Sequence, residues 1–289
     1  MTATLVGSVV ALWRYPVKSM PGEAVAWGSI HHRGLLGDRA YALLDRTTGH
    51  IASAKYPRKW GKLFECRAAF SEPPQLGQPL PPVLITLPDG TVISSAEPEV
   101  DRLLSEVVGR EVALVREAPP AATREADRTP ILEPAAEKII RTEALAVAAP
   151  AGTFFDYAPL HLLTTATLNR FQKLYPAGRF EVQRFRPNLL ISPPAGEQGF
   201  IENGWLGYHL AVGREVQLEA IDPCPRCVVT TLPQGDLPHD PDILRTVTRH
   251  NAVASVTVAP GVVFPAVAGI YAGVVQGGLV HCGDSVWLR

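Results

Sequence analysis

The sequence predicts a protein that is mainly β with some α-helix. Its 289 residues include 27 prolines and 24 glycines spread along the chain, which is typical of many short strands joined by turns rather than of a helical bundle. Short runs rich in Val, Ile and Leu recur through the chain, and most of them are bounded by turn-forming residues. A chain of this length can form one large domain or two ordinary ones, with a substantial core.

The first part of the chain predicts a β-rich module over residues 1–120. Residues 5–15 form an apolar run that ends at a proline, which indicates a buried strand. Residues 83–93 contain Pro-Asp-Gly between two β-branched runs and predict a hairpin. Residues 98–108 predict a helix, because apolar side chains recur at helical spacing and Gly109 follows as a C-terminal stop.

The remaining residues, 121–289, predict a second domain. Residues 117–143 span the boundary between the two predicted domains. They are rich in Ala, Pro and charged residues without periodicity, and they predict a long connection. Thr164 is expected to cap a helix over residues 166–174. A second helix is expected over residues 240–247, where Asp precedes Pro at the first helical position.

Two further segments of this half predict strands. Residues 185–191 indicate a strand whose entry carries Arg186 and Asn188, which would share one face because they are spaced by two. Residues 269–288 indicate a final hairpin that would close a barrel or sheet.

Composition excludes several classes of partner. A net charge of −1 and a pI near 6.7 give no overall electrostatic field that would attract nucleic acid or an anionic membrane. Any anion binding must therefore depend on a local group of positive side chains. Four cysteines at irregular spacing do not form a disulfide framework, which favours a reducing compartment. We expect a cytoplasmic protein without a membrane span, because no leader-like start and no apolar run of spanning length is present.

The segment 221–231, Ile-Asp-Pro-Cys-Pro-Arg-Cys-Val-Val-Thr-Thr, is the most chemically suggestive stretch. Cys224 and Cys227 could be a redox dithiol, half of a zinc site, a disulfide, or one working thiolate beside a second cysteine. The dithiol is disfavoured because β-formers follow and no helix is expected, and zinc because no second ligand pair has finger spacing. A thiolate on a strand beside Arg226 suits a soft metal next to an anionic group. Two buried structural cysteines remain the simpler alternative.

Three other places offer polar groups whose role the local sequence leaves open. Lys18 and Ser19 lie at the centre of the loop 16–22, which could equally be an ordinary solvated turn. Asp38 and Arg39 follow a tight turn, where they could form a surface ion pair of little energetic value. Arg186 and Asn188 can hydrogen-bond an anion or a heterocycle edge, or can simply be a polar strand end.

Taken in order, these motifs make the chain resemble the MOSC family. The resemblance covers nearly the whole chain and predicts a MOSC β-barrel domain preceded by an N-terminal β-barrel-like module. Within the family the chain looks most like the amidoxime-reducing component of mitochondria and its bacterial relatives, which reduce N-hydroxylated compounds. The motifs are Tyr-Pro-Val-Lys-Ser at 15–19, Gly-Asp-Arg at 37–39, Arg-Phe-Arg-Pro-Asn at 184–188, Pro-Arg-Cys-Val-Val-Thr-Thr at 225–231 and Gly-Asp at 283–284.

The resemblance implies a molybdenum cofactor, a pterin whose metal is ligated by the family's motif cysteine, here Cys227. Lys55 stands where relatives often carry arginine. Lysine keeps the positive charge but lacks the pair of N–H groups with which a guanidinium binds two oxygens at once. Thr164 is a further contact candidate. The residues implied to hold the phosphate and pterin of the cofactor are Lys18, Ser19, Arg39, Arg186, Asn188 and Arg226.

The implied reaction is the two-electron reduction of an N-hydroxylated, or more generally N-oxygenated, small molecule. No additional cysteine cluster for an iron–sulfur domain is present in this sequence, so a separate flavin or iron–sulfur reductase is the expected electron donor. Two alternatives stay open: a protein that carries the cofactor or its sulfur without turning over a small substrate, and a metal-free thiol enzyme or binding module that uses Cys224 with Cys227.

Overall fold

The structure, a computed structural model, describes residues 3–133, 137–257 and 259–289. It confirms a mainly β chain with a few helices. The strands are β1 Thr4–Arg14, β2 Glu23–Val25, β3 Trp27–His31, β4 Gly34–Leu35, β5 Ala42–Asp45, β6 Arg67–Phe70, β7 Val83–Thr86, β8 Val92–Ser94, β9 Val112–Val115, β10 Thr123–Asp127, β11 Ile140–Ala144, β12 Leu160–Thr164, β13 Leu189–Ser192, β14 His209–Val212, β15 Val216–Pro225, β16 Val253–Ala254, β17 Val263–Phe264, β18 Val267–Gln276, β19 Gly278–His281 and β20 Ser285–Leu288. The α-helices are α1 Pro57–Trp60, α2 Val100–Val108, α3 Thr165–Leu174, α4 Val182–Phe185 and α5 Pro241–His250, and 3₁₀ helices span Gly61–Glu65, Ile201–Trp205 and Val228–Thr231.

Seven strands form a closed barrel in the order β13, β12, β18, β15, β14, β20 and β1, because β13 also pairs with β1. The strands β12 and β13 run parallel, and the other neighbours in the ring run antiparallel. Alternate residues of each strand point inward, which is why side chains such as Leu12, Leu162, Leu218 and Ile270 fill one continuous core.

The first strand of the chain closes this barrel. Leu12 of β1 pairs with Leu189 of β13, and Leu5 pairs with Trp287 of β20. The strand β3 likewise pairs with β19. Strands from the two parts of the chain are therefore hydrogen-bonded to each other, and the boundary between residues 120 and 121 stays a prediction.

A second core lies among the small sheets of the first part. The sheet β6–β7–β8, the pair β5–β9 and helix α2 surround buried side chains that include Trp60, Leu63, Ile85 and Leu104. The predicted hairpin is confirmed as β7 and β8. The predicted helix is confirmed as α2, which ends at Gly109 with φ of 70°, a left-handed conformation that glycine adopts without steric cost.

The two helices predicted in the second part are also confirmed. The Thr164 hydroxyl accepts a hydrogen bond from the Thr167 amide at 3.1 Å and caps α3. Asp240 caps α5 in the same way. Both helices pack against the barrel through a third core that contains Phe171 and Val247. Within the described part of the chain, no helix has the length and apolarity to cross a membrane.

Three local predictions were wrong. The segment 117–143 holds the hairpin β10–β11, in which Arg124 stands opposite Glu143, so cross-strand charge pairing replaces apolar alternation. The strand at 185–191 begins only at Leu189, because residues 182–185 are helical and Arg186 is left-handed. Residues 269–288 form three strands that pair with other partners rather than with one another: β18 with β15 and β12, β19 with β3, and β20 with β14 and β1.

Candidate functional site

A cleft of about 770 Å³, counted to its open mouth, lies where the barrel meets the first part of the chain. Eight of the nine residues implied by the motifs line it, although they come from loops far apart in the sequence. They are Lys18, Ser19, Arg39, Lys55, Arg186, Asn188, Arg226 and Cys227.

The backbone is unusual at three of these residues. Ser19, Arg39 and Arg186 have φ of 66°, 48° and 54°, and only two other non-glycine residues in the described chain, Ala121 and Ala146, have positive φ. Such conformations cost free energy in residues with a Cβ and are concentrated at functional sites. Three strained residues around one cleft are therefore an independent sign that this cleft is the site.

A half-buried carboxylate, Asp156, holds three cations on one side of the cleft. Lys18 Nζ donates to Asp156 Oδ1 at 2.7 Å and to the Phe154 carbonyl at 2.7 Å. Lys55 Nζ is 3.0 Å from Oδ2, and Arg124 Nε is 3.0 Å from Oδ1. Asp156 and Arg124 were not predicted from the sequence, in which the one signal for Asp156 is a lone acid inside the aromatic run 154–157.

The charges of this group change one another's pKa. Burial raises the pKa of Asp156, but Arg124, Lys18 and Lys55 together lower it well below its usual value. Burial lowers the pKa of Lys18 to about 7, against the opposing effect of Asp156. The charge of Lys18 therefore depends on what else occupies the cleft.

Asp38 and Asn188 hold other residues around the cleft in position. Asp38 is buried and accepts hydrogen bonds from the Tyr15 amide at 2.8 Å and from Asn188 Nδ2 at 2.9 Å, and it pairs with Arg39. The alternative of a surface ion pair is therefore excluded, since this buried carboxylate organises the interior. Asn188 Oδ1 accepts from the His161 amide at 3.1 Å, so the Asn188 side chain is already engaged and its geometry fits a positioning role.

Arg186 is a buried cation without an anion. Its guanidinium carbon lies 4.3 Å from the centre of the Tyr15 ring and 5.4 Å from that of Phe64. Its side chain makes no hydrogen bond or ion pair with any described residue, and Nη1 is buried without a partner. Burial, with Arg39 as a second cause, lowers the pKa of Arg186 to about 10. A buried unpaired charge is costly, so this residue fits a site that receives an anion.

The Cys-Pro-Arg-Cys segment ends the strand β15 at Pro225 and begins a 3₁₀ helix after Cys227. The expectation that this cysteine lies on a strand followed by more strand was wrong. The amide of Thr230 donates to the Cys227 carbonyl at 3.1 Å, which turns the chain. The buried Arg184 donates to the carbonyls of Thr230 and Leu232 at 3.1 and 3.3 Å and holds the segment in place.

The two thiols of this segment have different surroundings. Cys224 is buried, and its sulfur is 2.7 Å from Arg226 Nη1, whereas Cys227 is partly exposed. Arg226 Nη2 donates to the Phe185 carbonyl at 2.6 Å, and its Nε is buried without a partner. All four cysteines lie in the described residues, and each is a free thiol. Cys227 is thus the more accessible ligand of the pair.

His161 and Tyr271 also line the cleft, and neither was predicted as a site residue from the sequence. His161 Nε2 donates to the Ala268 carbonyl at 3.0 Å, since a carbonyl can only accept. Burial lowers the pKa of His161 to about 3, so the ring is neutral at physiological pH. Burial, with Cys224 as a second cause, raises the pKa of Tyr271.

Thr164 is the predicted residue that the structure does not bring to the cleft. It is fully buried at the start of α3, and its hydroxyl donates to Glu202 Oε2 at 2.7 Å while it caps the helix. Its oxygen is occupied by these structural contacts.

Among the described residues no cluster of three or more His, Cys, Asp or Glu side chains could hold a metal ion by itself.

Comparison with known proteins identifies the family. Over 255 residues the chain is 26% identical to mitochondrial amidoxime reducing component 2 from Homo sapiens, with 78% of this chain and 67% of the relative covered. Over 81 residues it is 35% identical to the protein of the same name from Rattus norvegicus, with 27% and 21% covered. The structural match to the YUAD protein from Bacillus subtilis covers 99% of this chain and 97% of that chain, at 11% identity and a TM-score of 0.47. Residues 6–67 match the model of the MOSC N-terminal beta barrel domain and residues 150–287 match that of the MOSC domain, so the chain belongs to the MOSC family.

Proposed function

We propose that this protein is a molybdenum-cofactor-binding oxidoreductase that reduces N-hydroxylated, or more broadly N-oxygenated, small molecules. The observation that carries the proposal is the composition of the cleft. Five cationic side chains and the accessible thiol of Cys227 line it together with a single carboxylate, although the whole chain has a net charge of −1. The positive charge is therefore concentrated at one place, beside a soft metal ligand.

The residues of the cleft fit a pterin cofactor with a phosphate tail. Buried nitrogen atoms of Arg186 and Arg226 lack partners in the described structure, and anionic oxygens would satisfy them with charge-assisted hydrogen bonds. Lys18, with its pKa lowered to about 7 by burial, would be kept protonated by an added negative charge.

Each residue then has a role of its own. Cys227 would ligate the metal, while Arg226 and Arg186 would bind the cofactor through their unpartnered nitrogens. Lys18, Lys55 and Arg39 would neutralise the phosphate, which Ser19 can reach with a hydroxyl. Asn188, held by Asp38 and His161, would keep the Arg186 segment in position. When bound, the cofactor supplies the two-electron redox chemistry of the proposed reaction.

The relatives support the choice of substrate class. The human and rat proteins are named as amidoxime reducing components, and an amidoxime carries an N-hydroxyl group. We extend that class to this chain as part of the proposal, together with a separate flavin or iron–sulfur protein as electron donor and a cytoplasmic location. Four free thiols fit a reducing compartment.

The first test is a metal and pterin inventory of the full chain, produced in a host that makes the cofactor. We expect about one molybdenum per chain in the wild-type protein. Cys227→Ser should abolish it, and Cys224→Ser should retain it, whereas a dithiol enzyme would need both thiols. Cys282→Ser, at an exposed cysteine, is the matched control for thiol replacement. A wild-type protein without molybdenum or pterin would refute the proposal.

The second test is turnover of benzamidoxime with a reduced viologen as artificial electron donor. We expect conversion to benzamidine by the wild-type protein and none by Cys227→Ser. A protein that holds the cofactor and yet reduces no N-hydroxylated compound would favour the alternative, a carrier of the cofactor or its sulfur.

A further inference from the structure

A second cavity, of about 730 Å³ counted to its mouth, shares Arg186 with the cleft and no other lining residue. The aromatic side chains of Trp13 and Tyr15 form part of its wall, and Gln183 and Gln234 lie beside them. Neither the sequence motifs nor the family comparison assigns a role to this cavity.

Unsatisfied polar atoms are concentrated there. The described structure contains eight buried side-chain nitrogen or oxygen atoms without a hydrogen-bond partner, and four belong to residues of this cavity: Trp13 Nε1, Gln183 Oε1, Arg186 Nη1 and Gln234 Nε2. Arg186 and Gln234 are only 8% and 7% exposed. Because buried polar groups in native proteins are nearly always hydrogen-bonded, the three donors among these four atoms indicate a ligand that accepts hydrogen bonds.

The charges of the cavity favour an anion. Its two carboxylates are already engaged, since Arg179 donates to Glu181 at 2.7 Å and to Asp236 at 2.8 Å. Its two cations, Arg67 and Arg186, have no ion pair among the described residues. The groups left over are therefore positive, and three of the four unsatisfied atoms are hydrogen-bond donors.

The shape of these groups favours a planar anion. Arg186 lies against the Tyr15 ring, with 4.3 Å between its guanidinium carbon and the ring centre, and the Trp13 indole stands in the same wall. A guanidinium presents its N–H groups in one plane, which matches the two oxygens of a carboxylate. A flat ring attached to that carboxylate would contact the aromatic wall.

We propose that this cavity binds a small planar organic carboxylate through Arg186, Arg67, the indole N–H of Trp13 and the amide of Gln234. The site adjoins the cleft at Arg186, whose guanidinium the two ligands would share, and it does not require the proposed reductase activity. It places a second ligand on the arginine that borders the cleft, so occupation of one cavity can affect the other.

Titration calorimetry on the full chain tests this with benzoate as the probe and benzamide as its neutral counterpart. We expect one benzoate per chain, and at least roughly tenfold weaker binding of benzamide, because a hydrogen-bonded charge is lost. Trp13→Phe and Gln234→Leu each remove one donor and should weaken benzoate binding by roughly tenfold. Trp27→Phe, at a 40% exposed tryptophan outside this cavity, should leave it unchanged.

Several outcomes would overturn the proposal: no benzoate binding, equal binding of benzamide, binding of inorganic phosphate but not benzoate, or insensitivity to both Trp13→Phe and Gln234→Leu. The molybdenum content of every sample is measured in parallel. If benzoate bound cofactor-free protein but were excluded from cofactor-loaded protein, the cavity would belong to the cofactor itself, which also overturns a separate site. Benzoate binding to protein that never takes up molybdenum would support this site and refute only the reductase.

Discussion

Replacement of Asp156 by asparagine tests the charge balance of the cleft directly. The variant keeps the size of the side chain and removes the negative charge shared by Lys18, Lys55 and Arg124, whose nitrogens lie 2.7 to 3.0 Å from its oxygens. Exposed ion pairs contribute about 0–1 kcal/mol, and removal of one partner of a buried pair costs about 3–5 kcal/mol. The Asp156 side chain is 28% exposed, so we expect an intermediate loss of about 2–3 kcal/mol.

The assay is thermal unfolding of the cofactor-free protein, where this loss corresponds to a decrease in Tm of roughly 4–12 °C for a chain of this size. Because the folded state lowers the pKa of Asp156, its contribution is complete above the unfolded pKa of about 4 and disappears as the pH falls through the lower folded value. Loss of the carboxylate also lowers the pKa of Lys18 further. Lys18 can then lose its proton, so the difference in stability should be smaller at pH 8 than at pH 6.

Added phosphate should restore part of the stability of Asp156→Asn and have less effect on the wild type, because an anion can replace the missing charge. Glu106→Gln, at an exposed ion pair with Arg102, serves as the control and should leave Tm unchanged. An Asp156→Asn protein that melts within about 2 °C of the wild type at pH 6 would show that the three cations do not depend on this carboxylate.

Three further predictions concern the framework of the site. Arg184→Met should lower the free energy of unfolding in urea by at least about 3 kcal/mol, because Arg184 donates to four backbone carbonyls. Arg58→Met, at an exposed position, is the control. Equal effects of the two replacements would show that these hydrogen bonds do not stabilise the fold. Gly269→Ala and Gly49→Ala both place a Cβ at positive φ, but only at position 269 does the Cβ meet the Leu162 carbonyl oxygen and the His161 ring. We therefore expect Gly269→Ala to be about 1–3 kcal/mol less stable than Gly49→Ala, and similar stabilities would argue against this close packing. The His161 imidazole should not titrate by NMR between pH 8 and 5, since burial lowers its pKa to about 3, and a midpoint above pH 5 would contradict its burial as a neutral ring.

Much of the fold was predictable where local chemistry determines it. The helices α2, α3 and α5 carry their own start or stop signals, such as the Thr164 cap and Gly109, and these signals act through neighbouring backbone groups. The hairpin of β7 and β8 was predictable for the same reason, since its turn residues adjoin its strands.

The errors arose where distant or polar partners decide the structure. The strands β10 and β11 were missed because Arg124 pairs with Glu143 across the hairpin, and hydrophobic periodicity does not detect such charge pairs. The 3₁₀ helix after Cys227 was missed because β-branched residues favour strand. There the Thr230 and Thr231 hydroxyls donate to carbonyls three residues back and stabilise a turn instead.

The candidate site shows the same division. The ordered motifs predicted residues such as Lys18, Arg186 and Cys227, which the structure brings to one cleft. Asp156 and Arg124 were not predicted because each matters only through the other side chains that the fold places next to it. Apart from the position of Asp156 inside an aromatic run, the sequence carries no local sign of such a contact.

The position of β1 has a consequence for biosynthesis. This strand is translated before both of its neighbours in the ring, β13 and β20. A nascent chain must therefore keep an apolar strand protected from aggregation until β20 has been translated. Expression of residues 121–289 without β1 would leave the edges of β13 and β20 exposed to pairing with other molecules, so the two parts of this protein are expected to mature together or not at all.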